Sequence, residues 1–251
     1  MVEWRVTLID RSLDRDRSIV LTGLVAATVL AWAWIVPMSF DMYGPMSGSS
    51  EWMKSHAWDM KYVLLVFAMW AVMMTGMMLP SAAPMVMLAG DGGRPYWLAL
   101  GYLSIWVAFS VGATALQWLL MRALVLTPMM EVSGTVAAAA LLAIAGIYQW
   151  TPLKQACLAT CQSPMAFITR RWRSGDIGAF RMGAEHGVYC VGCCWALMLL
   201  LFAGGVMNLA VIAALTIFVA FEKLAPLGRW GARVSGAALI ACAAWMLLTA
   251  S

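Results

Sequence analysis

Charge is what this 251-residue chain has least of. Only 11% of its residues are Asp, Glu, Lys or Arg, where an average soluble domain has about 25%. With 63% hydrophobic residues there is too little polar side chain to cover a surface in water. That excludes a soluble globular domain and makes lipid the natural solvent. Histidine is almost as scarce, with His56 and His186 alone. No P-loop, G-x-G-x-x-G fingerprint, C-x-x-C-H haem-attachment motif or Ser/His/Asp arrangement is present. These absences exclude pumping powered by ATP within this chain, dinucleotide oxidoreduction, c-type haem and serine hydrolysis. There is no alternating strand pattern, internal repeat or low-complexity tract. The net charge of +4 is spread over loops, so it marks topology and not a nucleic-acid footprint.

What the chain does have is long apolar runs. A helix needs about 20 mostly apolar residues to cross a bilayer, and seven segments approach that: 18–38, 62–89, 96–121, 133–151, 186–203, 206–222 and 233–250. Backbone groups in lipid must be satisfied internally, so these runs predict helices. The expected fold is all-α, a polytopic transmembrane bundle of about seven spans. The expected organisation is a cytoplasmic segment 1–17 followed by one transmembrane domain, 18–251. Arg5, Arg11, Arg15 and Arg17 precede an apolar stretch too long for a cleavable signal. With the N-terminus cytoplasmic, 13 of the 16 basic residues lie inside and only Lys54, Lys61 and Arg122 lie outside, as the positive-inside rule requires. The fifth segment is short; if it is re-entrant, the C-terminus moves inside.

Three constellations carry soft-ligand chemistry. In the fifth segment His186, Cys190 and Cys193 share one helical face, with Cys194 at its edge and Met198 a turn beyond. Cys157 and Cys161 form an i, i+4 pair expected at the cytoplasmic end of the fourth span, in a loop covering 152–185. In the second segment Met73 and Met77, and Met74 and Met78, stack one turn apart, just before Pro80 and Pro84. Thiolates and thioethers select copper(I), while imidazole and thiolate also suit zinc. Each group has a plainer reading: cysteine is a small buried hydrophobe and methionine an adaptable core filler. Cys242 reads as packing. In the first outer loop, 39–61, Met42, Met46, Met53, Met60 and His56 are candidates to collect an ion. Glu222-Lys223, ahead of Pro226, reads as functional or as a snorkelling interfacial pair.

At these residues the chain resembles a bacterial family of unknown function, known only as predicted metal-binding integral membrane proteins. The stretches that carry the likeness are MMLPSAAPM from Met77, YQWTPLKQACLATCQSP from Tyr148, GAEHGVYCVGCCWALM from Gly183 and FEKLAP from Phe221, together with Gly101 to Trp118. The resemblance implies a multi-pass membrane protein with a metal site at Cys157, Cys161, His186, Cys190, Cys193 and Cys194. It supplies no reaction, substrate or metal.

The expected function is soft-metal handling in a bacterial cytoplasmic (inner) membrane, with copper as the ion and zinc or haem as alternatives. Met73, Met74, Met77 and Met78 would form a weaker relay. The expected partners are the bilayer, the metal ion and other membrane subunits, with no nucleic acid. No catalytic set is evident, which favours a binding protein over an enzyme. Two other readings stay open: an accessory subunit of a larger membrane complex, and a thiol or haem oxidoreductase, for which His186 lacks an evident second axial histidine.

Overall fold

The computed structural model describes residues 3–44, 46–48, 50–54, 58–89, 94–127, 130–225 and 228–250. Ten α-helices account for nearly all of them: α1 (Glu3–Met42), α2 (Met60–Ala89), α3 (Pro95–Arg122), α4 (Thr135–Gln149), α5 (Pro152–Cys161), α6 (Pro164–Arg171), α7 (Gly175–Met198), α8 (Leu200–Gly204), α9 (Leu209–Leu224) and α10 (Gly228–Ala250). Among the described residues there is no strand, only one isolated bridge between Leu126 and Val132. The all-helical expectation therefore holds.

Five segments are long and apolar enough to cross a membrane: Ser18–Met42, Met60–Leu88, Pro95–Arg122, Gly175–Gly204 and Trp230–Thr249. A sixth arises if α4 and α5, bent by 69° at their junction, count as one span. Helix α9 has 16 residues. At 1.5 Å per residue it is about 24 Å long, short of an apolar layer of about 30 Å.

Two expectations need correction. The stretch 152–185 is not a loop: it holds α5, α6 and the first turns of α7. The breaks fall where sequence punctuates a helix. Thr151 caps α5, its side chain accepting from the Lys154 amide, and proline opens both α5 and α6. Proline at a first turn loses no bond, because that amide has no intrahelical partner anyway. The fifth segment is also not short, because α7 begins at Gly175 and runs for 24 residues.

The tightest pairing sets α3 parallel to α7. Gly183 lies against the Leu98 backbone and Gly101 against Phe180 and Ala184, so a Cβ at either glycine would strike main-chain atoms of the other helix. Small residues at such crossings let the backbones approach. Helix α2 runs antiparallel to α3. Trp70 Nε1 donates to Gln117 Oε1 at 2.7 Å, and Tyr102 Oη to the Met78 carbonyl at 3.2 Å. Pro80 cannot bond the Gly76 carbonyl, and Trp32 Nε1 of α1 donates to that oxygen instead at 3.2 Å. Helices α4 and α10 pack antiparallel, with Trp150 Nε1 donating to the Arg233 carbonyl at 3.0 Å.

Candidate metal centre

Helices α2, α5, α7 and α9 converge on one buried cluster. Cys190, Cys193 and Cys194 of α7 are at most 1% exposed, and His186, one turn earlier, is 4% exposed. Helix α5 brings Cys161 to Cys193, with the two Sγ atoms 4.0 Å apart. Met73, Met74, Met77 and Met78 are fully buried on α2. Cys157 is buried as well, its sulfur lying against Gly192, where a Cβ would come within 2.8 Å. All six cysteines are free.

Two lysines enter this cluster, and both depart from expectation. Lys154, expected in a cytoplasmic loop, is 0% exposed. Its Nζ donates to the Cys193 carbonyl at 2.6 Å and to Glu222 Oε2 at 2.6 Å. Glu222 and Lys223 do not form an interfacial pair; each is 5% exposed. As neighbours on α9 they point apart, Glu222 to Lys154 and Lys223 to the sulfur cluster. Lys223 Nζ lies 2.9 Å from Cys190 Sγ, 3.2 Å from Ser81 Oγ and 3.8 Å from Met78 Sδ. Tyr102 Oη completes the surroundings, 3.0 Å from Cys190 Sγ. Burying an ammonium costs several kcal/mol unless it is paired and hydrogen-bonded; Lys154 is ion-paired with Glu222, and Lys223 is hydrogen-bonded to Cys190 and Ser81.

Spacing in the sequence carries no sign of these links, which join residues 33 to 145 apart. The available signal was chemical. Ionisable residues within an apolar chain face the bundle interior and pair with one another, and Lys154 and Glu222 are such residues.

Several of the candidates are engaged by other groups or lie away from the cluster. The Cys194 and Cys193 thiols each bond back to the Cys190 carbonyl, at 2.9 and 3.1 Å. Ring contacts hold His186 between Tyr102 and Phe167, with centroids 5.9 and 5.3 Å away, and leave its buried Nδ1 without a partner. Cys242 is exposed on α10. Met42 and Met53 are buried, Met46 is half-buried and Met60 is exposed. His56 lies outside the described residues, as does Pro226. Among the described residues, no three Cys, His, Asp or Glu side chains form a ready ligand set for a metal. What the helices do bring together is sulfur. Two thiols 4.0 Å apart suit one shared ion, since metal–thiolate bonds are about 2.3 Å for zinc, and Met78 adds a thioether nearby. Copper(I) prefers such soft donors.

Residues 67–246 match the model of a family described as PpoB2, copper chaperone. That stretch is more than two thirds of the chain, and the chain belongs to this family. It contains α3–α9, the sulfur stripe of α2 and both buried lysines. No curated protein and no solved structure matches the chain.

Proposed function

We propose that this member of the copper-chaperone family is an integral membrane protein that holds copper(I) as cargo and passes it on. One observation carries the reading: α5 and α7 bring Cys161 and Cys193 to 4.0 Å inside the core, beside Cys190 and Met78. Cys161, Cys190 and Cys193 supply the thiolates, Cys157 and Cys194 stand behind them, and the open Nδ1 of His186 is a borderline donor. Met73, Met74, Met77 and Met78 supply thioethers along the path across the bundle.

The proposed topology has seven passages with a cytoplasmic N-terminus. These are the five long segments, α9, and a broken passage made of α4, α5 and α6. Relative helix directions support it. Passages of the same sense, α3 and α7, run parallel, while α2–α3 and α4–α10 run antiparallel. A passage broken at the level of a binding site is tolerated, because its backbone is buried in protein and not in lipid. Residues 18–251 then form one transmembrane domain behind the cytoplasmic segment 1–17, in a bacterial cytoplasmic membrane.

The test is copper content. Detergent-purified protein should take up copper(I) in a fixed stoichiometry, and the Cys190→Ser/Cys193→Ser double variant should take up none. Equal copper in both proteins, with both folded, would sink the assignment.

A further inference from the structure

A groove opens on the flank of the bundle between α9 and α10. Helix α10 follows α9 in the chain but packs along α4, so the two splay apart. The groove between them has a volume of about 630 Å³, within the range of small-molecule sites, about 300–1,000 Å³. Leu197 and Leu200, both buried, form its floor, and Ala238 and Cys242 belong to its α10 wall. On the other wall Ala214, Phe218 and Glu222 follow one another a turn apart, so all three lie on the face of α9 that borders the groove. Trp230 stands at its mouth, at the start of α10. Cys242 lies about 18 Å further along that helix.

One polar group in this lining is only half engaged. Glu222 is 5% exposed. Its Oε2 accepts from Lys154, while its Oε1 is buried without a hydrogen-bond partner among the described residues. Ser235, also in the lining, is already committed: it donates to the Ala232 carbonyl and accepts from Gln149 Nε2. A buried acceptor left unmet is costly, so Glu222 sets what the groove should take. A carboxylate only accepts, so ether, ester and ketone heads offer it nothing. Lys154 already neutralises it, and an ammonium guest would bring an unpaired charge against an apolar wall. What fits is a neutral donor on a hydrocarbon body, and a hydroxyl is that group. Its depth fits as well. Glu222 is in the last turn of α9 and Trp230 in the first turns of α10, and tryptophan favours the polar margin of a membrane. The remainder of the groove runs along the apolar middle of both helices.

We propose that this groove binds a lipid alcohol, with its hydroxyl donating to Glu222 Oε1 and its chain lying along α10 toward Cys242. Ordinary acyl chains can fill the apolar length of the groove but cannot meet the carboxylate. The hydroxyl completes a chain of hydrogen bonds through Glu222 and Lys154 to the Cys193 carbonyl, which ties the lipid to the wall of the sulfur cluster. No metal takes part in the binding, so the inference stands apart from the copper-holding role.

The experiment uses copper-free, full-length protein in an amine-oxide detergent, which has no hydroxyl to compete. The probe is hexadecanol carrying a photoreactive diazirine on its chain, and mass spectrometry locates the labelled peptides. Labelling should saturate and fall on α9 and α10. Unlabelled hexadecanol should compete about tenfold better than hexadecyl methyl ether, the worth of one hydrogen bond to a charged group. Ala238 is exposed, so Ala238→Phe should fold as the wild type does, fill the groove and lose the labelling. In Lys154→Met/Glu222→Leu, which removes the acceptor together with its cation, alcohol and ether should compete equally. A preference that survives there would place the hydroxyl elsewhere and overturn the inference. Equal competition by alcohol and ether in the wild type would also overturn it, since the groove would then take hydrocarbon alone. So would a wild type that resists labelling and runs as a dimer while Ala238→Phe runs as a monomer, since a second copy would then cover the groove.

Discussion

Around Cys190 the sulfur atoms sit among charges; around Met73 they sit among hydrocarbon. The first region holds two buried ammonium groups and a phenol within hydrogen-bonding distance of thiols or main-chain carbonyls, and a buried carboxylate paired with one of the ammonium groups. The second holds a core in which eleven of the chain's 21 methionines are buried, from Met42, Met53, Met130 and Met207 through Met73 and Met77 to Met78. Both suit copper(I), but not for the same task. A thiolate beside a fixed cation binds by charge and can be tuned by that cation. A thioether is neutral, binds weakly and lets go. Met78 stands where the two regions meet, 3.8 Å from Lys223 Nζ.

The largest effect should come from unbalancing the charged region. In Glu222→Gln the Lys154 ammonium stays buried with neutral acceptors alone, the Cys193 carbonyl and the new amide oxygen, and no counter-charge. Removing one partner of a buried pair costs about 3–5 kcal/mol, so thermal unfolding in detergent should show a severe loss of stability. Lys154→Met should do similar harm by stranding Glu222. The double variant Lys154→Met/Glu222→Leu should recover most of the loss, because replacing a whole buried pair with apolar groups is often nearly neutral. A mild phenotype for Glu222→Gln would mean that this region is not held by charge, and the contrast with the methionines would dissolve.

A smaller effect should follow from Lys223→Leu, which deletes the cation facing Cys190. At an effective dielectric of about 20, two unit charges 4 Å apart repel by about 4 kcal/mol. That is an upper bound, because the lysine chain can swing aside when an ion arrives. Copper(I) affinity, measured by competition with a chromogenic chelator, should rise about tenfold in the variant, equivalent to about 1.4 kcal/mol, and release to an acceptor should slow. Unchanged affinity would mean that Lys223 serves packing alone and does not tune the site.

The contrast between the regions also explains what the sequence makes legible. Helices and their sulfur faces follow from spacing, which is local: His186, Cys190 and Cys193 lie on one face because a turn is 3.6 residues. Met73 and Met77 follow the same rule. Helix starts at Thr151-Pro152 and Ser163-Pro164 are local signals too, and reading 152–185 as a loop gives too much weight to its charges and too little to those caps. The ion pairs are not local. Lys154 meets Glu222 68 residues away, and Glu222 ignores the lysine next to it because adjacent residues on a helix point about 100° apart. Only the crossing of α5, α7 and α9 decides which lysine takes which partner. Cys161 approaches Cys193 for the same reason, through the 69° bend between α4 and α5, and no periodicity encodes that bend.

The smallest structural effect belongs to Met73→Leu/Met77→Leu, and that is why the pair is informative. Leucine and methionine have nearly equal volume, and such exchanges cost less than about 1.5 kcal/mol even in a close-packed core. If these side chains only fill space, the double variant should match the wild type in stability, copper content and transfer alike. If their sulfurs carry the ion between a thiolate site and an acceptor, stability and stoichiometry should stay close to wild type while the rate of copper transfer falls about tenfold. Stopped-flow transfer to an acceptor thiol, with the thermal midpoint and copper content measured on the same preparation, separates the two. A slow rate with unchanged copper content assigns the methionines to movement. Copper lost along with rate would instead extend the holding site from Met78 into the methionine region, and one continuous sulfur site would replace the two regions contrasted here.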